Sequence, residues 1–338
     1  MPSTAEKLCR RLYSGSAARE AFALYVLLYT TLTSRYPIGM NVFEADWDLL
    51  IVLDACRADA LRAVEEEYSF VDGVGEIRSI GSTSKEWIDR TFTESYREEI
   101  EQTAYLTANP FANQMREPPI DYLGYSSVSE TFLAEHSELN RLIKDTTVSA
   151  DSFASYDPVF FSIDTGAHED GIETSMPRPE EMTDRAIVAG RERDVDRMII
   201  HYMQPHQPFL AAASERSYLE PWESDPFDSL RRGEATIETV WGAYLDNLRY
   251  VLDQVAVLLR NVDAPRVAIT ADHGELFGEL GLYSHAVGLL HPKLRSVPWV
   301  ETTAHDTHDY TPTVTLETPG NDHEADLSEQ LEALGYKQ

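Results

Sequence analysis

The chain has 338 residues, with 58 Asp plus Glu against 28 Lys plus Arg and a formal net charge of −30 at pH 7. That balance argues against nucleic acid as a partner, because phosphate binding needs a basic face. At 43% hydrophobic residues the chain can still bury a large core and is not a disordered acidic tail.

Cys9 and Cys56 are the only cysteines, which excludes a disulfide framework and a thiolate metal site and is compatible with a reducing interior. The first apolar run, residues 21–32, is too short for a comfortable membrane span. It reads as a helix within an N-terminal segment, residues 1–45, packed on the domain that follows. No integral membrane span is expected, and the cytoplasm is the expected location. The alternative is export through a paired-arginine signal at Arg10 and Arg11.

Residues 49–53 are an unbroken aliphatic run bounded by acids and read as a strand buried on both faces, followed by helical spacing over residues 57–67. Asp54 then stands at a strand's carboxyl end, although the same position suits a helix N-cap. Further along, "IRSIGSTSKEWIDRTF" places Gly81 for a tight turn and Ser82, Thr83 and Ser84 as hydroxyls before a helix begun by Lys85. Residues 104–107, 198–202, 267–270 and 297–300 read as further strands, with His201 inside the second of these runs and His206 in "PHQPF" just after it. Residues 166–181 and 215–234 are rich in turn formers and read as loops, the second as a lid. Residues 234–259 show apolar spacing at helical period, including Ile237, Val240, Trp241, Tyr244 and Leu248, which is a core stripe.

The richest segment is "VAITADHGELFGELGLYSH". A β-branched run ends in Asp272, His273, Gly274 and Glu275, where open α/β sheets place their ligands. Adjacent carboxylate and imidazole offer one hard and one borderline donor, suiting Zn, Mn or Fe better than Ca. His285 follows closely enough to return to the same pocket.

Taken together, "LIVLDACRAD", "HYMQPHQPF" and "ITADHGELFGELGLYSHAVGLLHPKLRSVPWV" resemble the sulfatase-like branch of the alkaline phosphatase superfamily, in the family's order and over residues 47–300. The resemblance implies an α/β fold with a mostly parallel central sheet sandwiched by helices. It implies a catalytic domain over residues 46–301, followed by an acidic mobile tail with a short C-terminal helix over residues 302–338. It further implies one divalent metal, Mn or Zn before Ca, held by Asp54, Asp272 and His273. The nucleophile is expected at Ser82, with Thr83 the close alternative, and His206 and Arg57 join the catalytic group. Lys85, His201 and His285 are expected at the substrate. Two-metal members carry Asp-x-x-x-His, found here only at Asp164 and His168 in a loop, so one metal ranks above two.

Two departures from true sulfatases bear on the reaction. The formylglycine signature is absent, and Ala55 follows Asp54 where sulfatases carry paired Asp residues. The reading is therefore a hydrolase or phosphotransferase that acts on a phosphate ester through a covalent Ser or Thr intermediate. The substrate is an anionic ester, glycan- or lipid-linked. The alternatives are a sulfate-ester hydrolase using unmodified Ser and a non-catalytic glycan-binding relative in surface-polysaccharide assembly; the oligomeric state is open.

Excess carboxylate along the whole chain, with Lys rare beside Arg, resembles proteins of salt-loving archaea. Repulsion among these charges reaches over a Debye length of about 10 Å at 0.1 M salt but about 3 Å at 1 M. Thermal melts in rising KCl are expected to shift upward across the molar range. A melting temperature that stays flat from about 0.1 M to 3 M would refute the screening explanation.

Overall fold

Aliphatic runs with no polar alternation are satisfied only where helices cover both faces of a sheet. The computed structural model describes residues 17–115, 131–161, 172, 176–192 and 195–314. Its strands are β1 (Leu49–Leu53), β2 (Gly75–Arg78), β3 (Thr103–Thr107), β4 (Ser155–Pro158), β5 (Arg197–Tyr202), β6 (Ala264–Thr270), β7 (Leu276–Phe277), β8 (Tyr283–Ser284) and β9 (Ser296–Ala304). Seven form one sheet in the order β2-β9-β6-β1-β5-β3-β4, while β7 and β8 make a separate hairpin. Within the seven-stranded sheet, only β9 opposes the common strand direction. The expected α/β fold with a mostly parallel sheet is therefore observed, and the fully aliphatic β1 lies at its centre.

The sheet is flanked by α1 (Ala17–Thr33), α2 (Ala58–Val64), α3 (Ser84–Thr91), α4 (Pro179–Glu192) and α5 (Ile237–Leu259). From α5, Val240, Tyr244, Leu248, Val251, Leu252 and Val255 are buried, and the helix packs on α2 and α4. Ile237 is exposed because it opens the helix beyond the covered stripe. The edge strands β2 and β4 escaped the sequence reading, since Glu76 and Arg78 break any apolar pattern in β2 and β4 ends in Pro158.

Two expectations about loops change. The stretch 215–234 contains the end of a helix at Ala211–Arg216 and the short helices Pro221–Ser224 and Pro226–Arg232. Its prolines act as helix starters, where the missing N–H costs nothing, and not as breakers. The tail expectation also shifts at its start: β9 runs to Ala304, the Tyr310 hydroxyl donates to Asp184 Oδ1 at 2.7 Å and the Thr313 N–H donates to Asp184 Oδ2 at 2.7 Å. The closing helix, the Asp164–His168 spacing and most of the loop 166–181 lie outside the described residues; residues 179–181 already belong to α4.

Gly274 has the tightest backbone approach near the sheet's carboxyl edge. A Cβ there would stand 2.0 Å from the Lys293 carbonyl oxygen, and the Gly274 N–H donates to the Leu294 carbonyl at 2.8 Å. Backbone cannot give way as a side-chain tip can. Gly274→Ala is expected to cost about 3 kcal/mol of stability, read by chemical denaturation, and an unchanged unfolding midpoint would contradict this packing.

Candidate functional site

Strand register brings the site together. Val52 pairs with His201 on one side and Thr270 on the other, and Thr107 pairs with His201. Two residues beyond this common level lie Asp54, Asp272 and Asn109, at the carboxyl ends of β1, β6 and β3. His201 itself is on β5, one strand from the centre, and is fully buried.

Each carboxylate is aimed by backbone or side-chain donors. The N–H groups of Ala55 (3.1 Å) and His273 (2.8 Å) both donate to Asp272 Oδ1. Asp272 Oδ2 is left facing inward. The Ser79 hydroxyl donates to the Asp272 carbonyl, anchoring that residue's backbone. Asp54 Oδ2 accepts from Asn109 Nδ2 at 2.6 Å and from the Ser84 hydroxyl at 3.1 Å. Ala55 sits at φ 59°, a left-handed conformation unusual for alanine and the kind of strain that collects at functional sites.

The inward atoms converge. Asp54, His201 and Asp272 each present one ligand atom, all within 4.8 Å of one another. Asp54 Oδ1, His201 Nε2 and Asp272 Oδ2 are buried and have no hydrogen-bond partner. An unsatisfied buried polar atom costs about 1–3 kcal/mol, so three facing one point call for a cation. His273 Nε2 lies 3.8 Å from Asp54 Oδ1 and 3.6 Å from Asp272 Oδ2. Its Nδ1 is 2.7 Å from the Gly274 carbonyl and donates there, leaving the Nε2 lone pair toward the cluster. Two carboxylates and one or two imidazoles suit a transition metal better than Ca. Burial would raise the Asp272 pKa, but His273 and His201 hold it below the usual carboxylate range.

The hydroxyl beside this cluster is that of Ser84. It lies 3.1 Å from Asp54 Oδ2 and 3.2 Å from His273 Nε2. The expected Ser82 is placed elsewhere: its Oγ is 2.8 Å from Glu86 Oε2 and 3.0 Å from the Ala286 carbonyl, and it accepts the Gly288 N–H at 3.0 Å. Thr83 is the N-cap of α3, its hydroxyl accepting from the Glu86 N–H at 3.2 Å. The helix begins at Ser84, one residue before the expected Lys85, and that shift turns the third hydroxyl toward Asp54 and His273. Lys85 is buried in α3.

Arg57 does not salt-bridge the ligand carboxylates. Its guanidinium meets Asp59 and Glu279 at 2.7 Å each and the Glu275 carbonyl at 3.1 Å, and it lies over the rings of Trp241 and Phe277. It ties the start of α2 to the β7–β8 hairpin.

A second polar group adjoins the first. His206, Glu275 and His285 also present ligand atoms within 4.8 Å of one another, and the His285 ring is 4.3 Å from that of His273 and 5.4 Å from that of His206. Glu275 Oε2 is 3.0 Å from His285 Nδ1. Burial raises Glu275 to about 7 and lowers both His206 and His285. From α5, Asn247 Nδ2 donates to the carbonyls of Pro205 (3.2 Å) and His206 (3.1 Å), holding the turn that carries His206. Asn109 and Asn247 were missed by sequence reasoning. Asn109 follows a strand end as Asp54 does, but a lone Asn after a strand carries no distinctive signal.

No family model matches the chain, and no curated protein matches it. Solved structures do. The chain is similar to the soluble domain of lipooligosaccharide phosphoethanolamine transferase A from Neisseria meningitidis, at 13% identity over 76% of this chain and 75% of that one, with a TM-score of 0.45. It is similar to a 2-O GAG sulfatase at 11% identity over 86% and 70% of the two chains, TM-score 0.41. A third similar structure is the phosphonate monoester hydrolase of Agrobacterium radiobacter, at 13% identity over 75% and 67%, TM-score 0.34.

The buried charges set a pH signature for metal-free protein. Burial alone would lower the His201 pKa, but Asp272 and Asp54 raise it from 6.5 to about 9. Its contribution to stability is complete below the unfolded value and is lost as pH rises through about 9. Glu275, raised by burial from 4.5 to about 7, resists folding increasingly as pH rises through that window. Both slopes share a sign, whereas His206 and His285, lowered by burial, oppose them below the unfolded histidine value and drop out above it. The melting temperature of chelator-treated protein is therefore expected to fall between about pH 7 and pH 9, and added Mn or Zn to flatten the fall. A metal-free melting temperature that rises over that range would contradict the assignment.

Proposed function

We propose that the chain is a metal-dependent hydrolase or phosphotransferase that acts on a phosphate ester through a covalent intermediate on Ser84. The observation that carries this reading is the set of three partnerless buried atoms, on Asp54, His201 and Asp272, facing one point beside the Ser84 hydroxyl. A divalent ion held by these residues, with His273 beside them, would neutralise the charge of the ester and favour the ionised serine.

The chain's own groups do the rest. Asp54 Oδ2, at 3.1 Å, is the atom that can take the Ser84 proton, since its Oδ1 faces the cluster. Ser84 is the first residue of α3, and the positive end of a helix dipole favours an anion there. The Ser84 Oγ–P bond forms as the bond from phosphorus to the leaving oxygen breaks. That oxygen needs a proton, and the group of His206, Glu275 and His285 holds one, because Glu275 keeps its own up to about pH 7. Water, or the hydroxyl of an acceptor, then attacks the phosphorus and gives its proton to Glu275 while the Oγ–P bond breaks and Ser84 recovers the proton held by Asp54. The absent formylglycine signature favours phosphate over sulfate as the group transferred.

Ser84→Ala is expected to lower kcat for an aryl phosphate by more than about 1,000-fold with the fold intact, whereas Ser82→Ala keeps most turnover. Mass spectrometry of protein quenched during turnover should place the phosphate on Ser84. Label on Ser82 or Thr83, or full activity of Ser84→Ala, would refute the nucleophile, and faster turnover of the matched aryl sulfate would refute the substrate class.

A further inference from the structure

The outward face of α1 is anomalous for so acidic a chain. Ala21, Leu24, Tyr25, Leu28 and Leu32 all point to solvent, with Leu24 48%, Leu28 61% and Leu32 57% exposed. Leu24, Leu28 and Leu32 recur every four residues and form one continuous stripe. Glu20, the helix's single acid, is buried and accepts the Phe132 N–H. A soluble helix presents charge outward, and this one presents leucine. Tyr36, 71% exposed, and Leu290, 47% exposed, are further large apolar groups left in water, and the loop of Leu290 is joined to α1 where the Tyr25 hydroxyl donates to the Gly288 carbonyl at 2.6 Å.

Charge singles out the same segment. Residues 1–36 carry five Lys or Arg (Lys7, Arg10, Arg11, Arg19 and Arg35) and two acids, whereas residues 37–338 carry 23 and 56. An outwardly apolar helix, flanked by Arg19 in its first turn and Arg35 just past its end, within a segment whose sequence is basic in an otherwise acidic chain, matches a surface that is apolar beneath and anionic on top. A second copy of this chain is a poorer match, since pairing this face would bring two basic segments together. The acidic body is screened beyond a Debye length of about 10 Å at 0.1 M salt, so the charge of the contacting segment decides. Among the described residues no helix is long and apolar enough to cross a membrane. α1 is therefore suited to lie in a lipid interface and not to span it.

We propose that the outer face of α1 docks on an anionic lipid surface, with Leu24, Leu28 and Leu32 inserted among the acyl chains and Arg19 and Arg35 at the headgroups. The proposal is independent of the reaction assigned above. The buried face of α1 holds the body: Tyr29 donates to Glu86 Oε1 at 2.8 Å and accepts from Arg295 Nη1 at 2.8 Å. Docking thus keeps the loop that follows His285 at the lipid surface.

The full-length protein is mixed with vesicles of equal parts phosphatidylglycerol and phosphatidylcholine and floated through a density gradient. Wild type is expected to float, and Leu24→Ser, Leu28→Ser and Leu32→Ser combined are expected to lower the bound fraction by about tenfold or more while leaving turnover of a soluble aryl phosphate unchanged. In a separate Leu28→Trp variant, vesicles are expected to shift the emission of the added indole to shorter wavelength. Wild type that stays at the bottom, a triple variant that floats equally, or an unshifted emission from the Leu28→Trp variant would each overturn the proposal. So would a dimer in vesicle-free solution that the triple substitution dissociates, which would assign the face to a second copy.

Discussion

Two carboxylates buried together repel, and the organisation of the sheet's carboxyl edge follows from containing Asp54 and Asp272 in one dry pocket. Neither side chain has solvent to share its charge with. At the low effective dielectric of an interior, like charges a few ångströms apart cost several kcal/mol. His201 from below, His273 from beside and Asn109 from a third strand answer that charge. The atoms left over, one from each Asp and one from His201, define where a cation belongs.

The same constraint explains the ring of supporting contacts. Asp272 Oδ1 is occupied by two backbone N–H groups so that Oδ2 has one direction open. That arrangement requires the Ala55 N–H to turn toward β6, which the left-handed backbone at Ala55 supplies. The Tyr244 hydroxyl, donating to the Ala55 carbonyl at 2.7 Å and accepting from the Arg57 N–H at 3.0 Å, holds the turn from outside. Glu86 does the corresponding work for α3: its two oxygens bind Ser82 and Tyr29, so the helix that presents Ser84 is tied both to the loop 286–288 and to α1.

The polar trio of His206, Glu275 and His285 extends the site without sharing a ligand with the first group. Contact runs through the rings of His273 and His285. In the proposed reaction that adjacency would assign the anion to one centre and the proton transfers to the other. Arg57, in contrast, belongs to the scaffold, since its charge is taken up by Asp59 and Glu279.

Periodicity and composition determined much of this protein by themselves. Aliphatic runs ending in Asp54 and in Asp272-His273 could be satisfied only as covered parallel strands, and strand ends of that kind converge on one edge, so the fold class and two acids of the centre were legible. What the tertiary structure decided was register and helix phase. His201 reads from sequence as a group at the substrate, and its place between the two carboxylates emerges only when β5 is laid beside β1, because burial among two carboxylates is a property of neighbours distant in sequence. Asn109 and Asn247 are silent for the same reason. The choice among Ser82, Thr83 and Ser84 turned on which residue caps α3: once Thr83 took the N-cap and Ser82 took Glu86, a rotation of about 100° per residue left Ser84 alone facing the acids. No local pattern encodes that rotation, since all three hydroxyls are chemically alike and only packing against the rest of the chain distinguishes them.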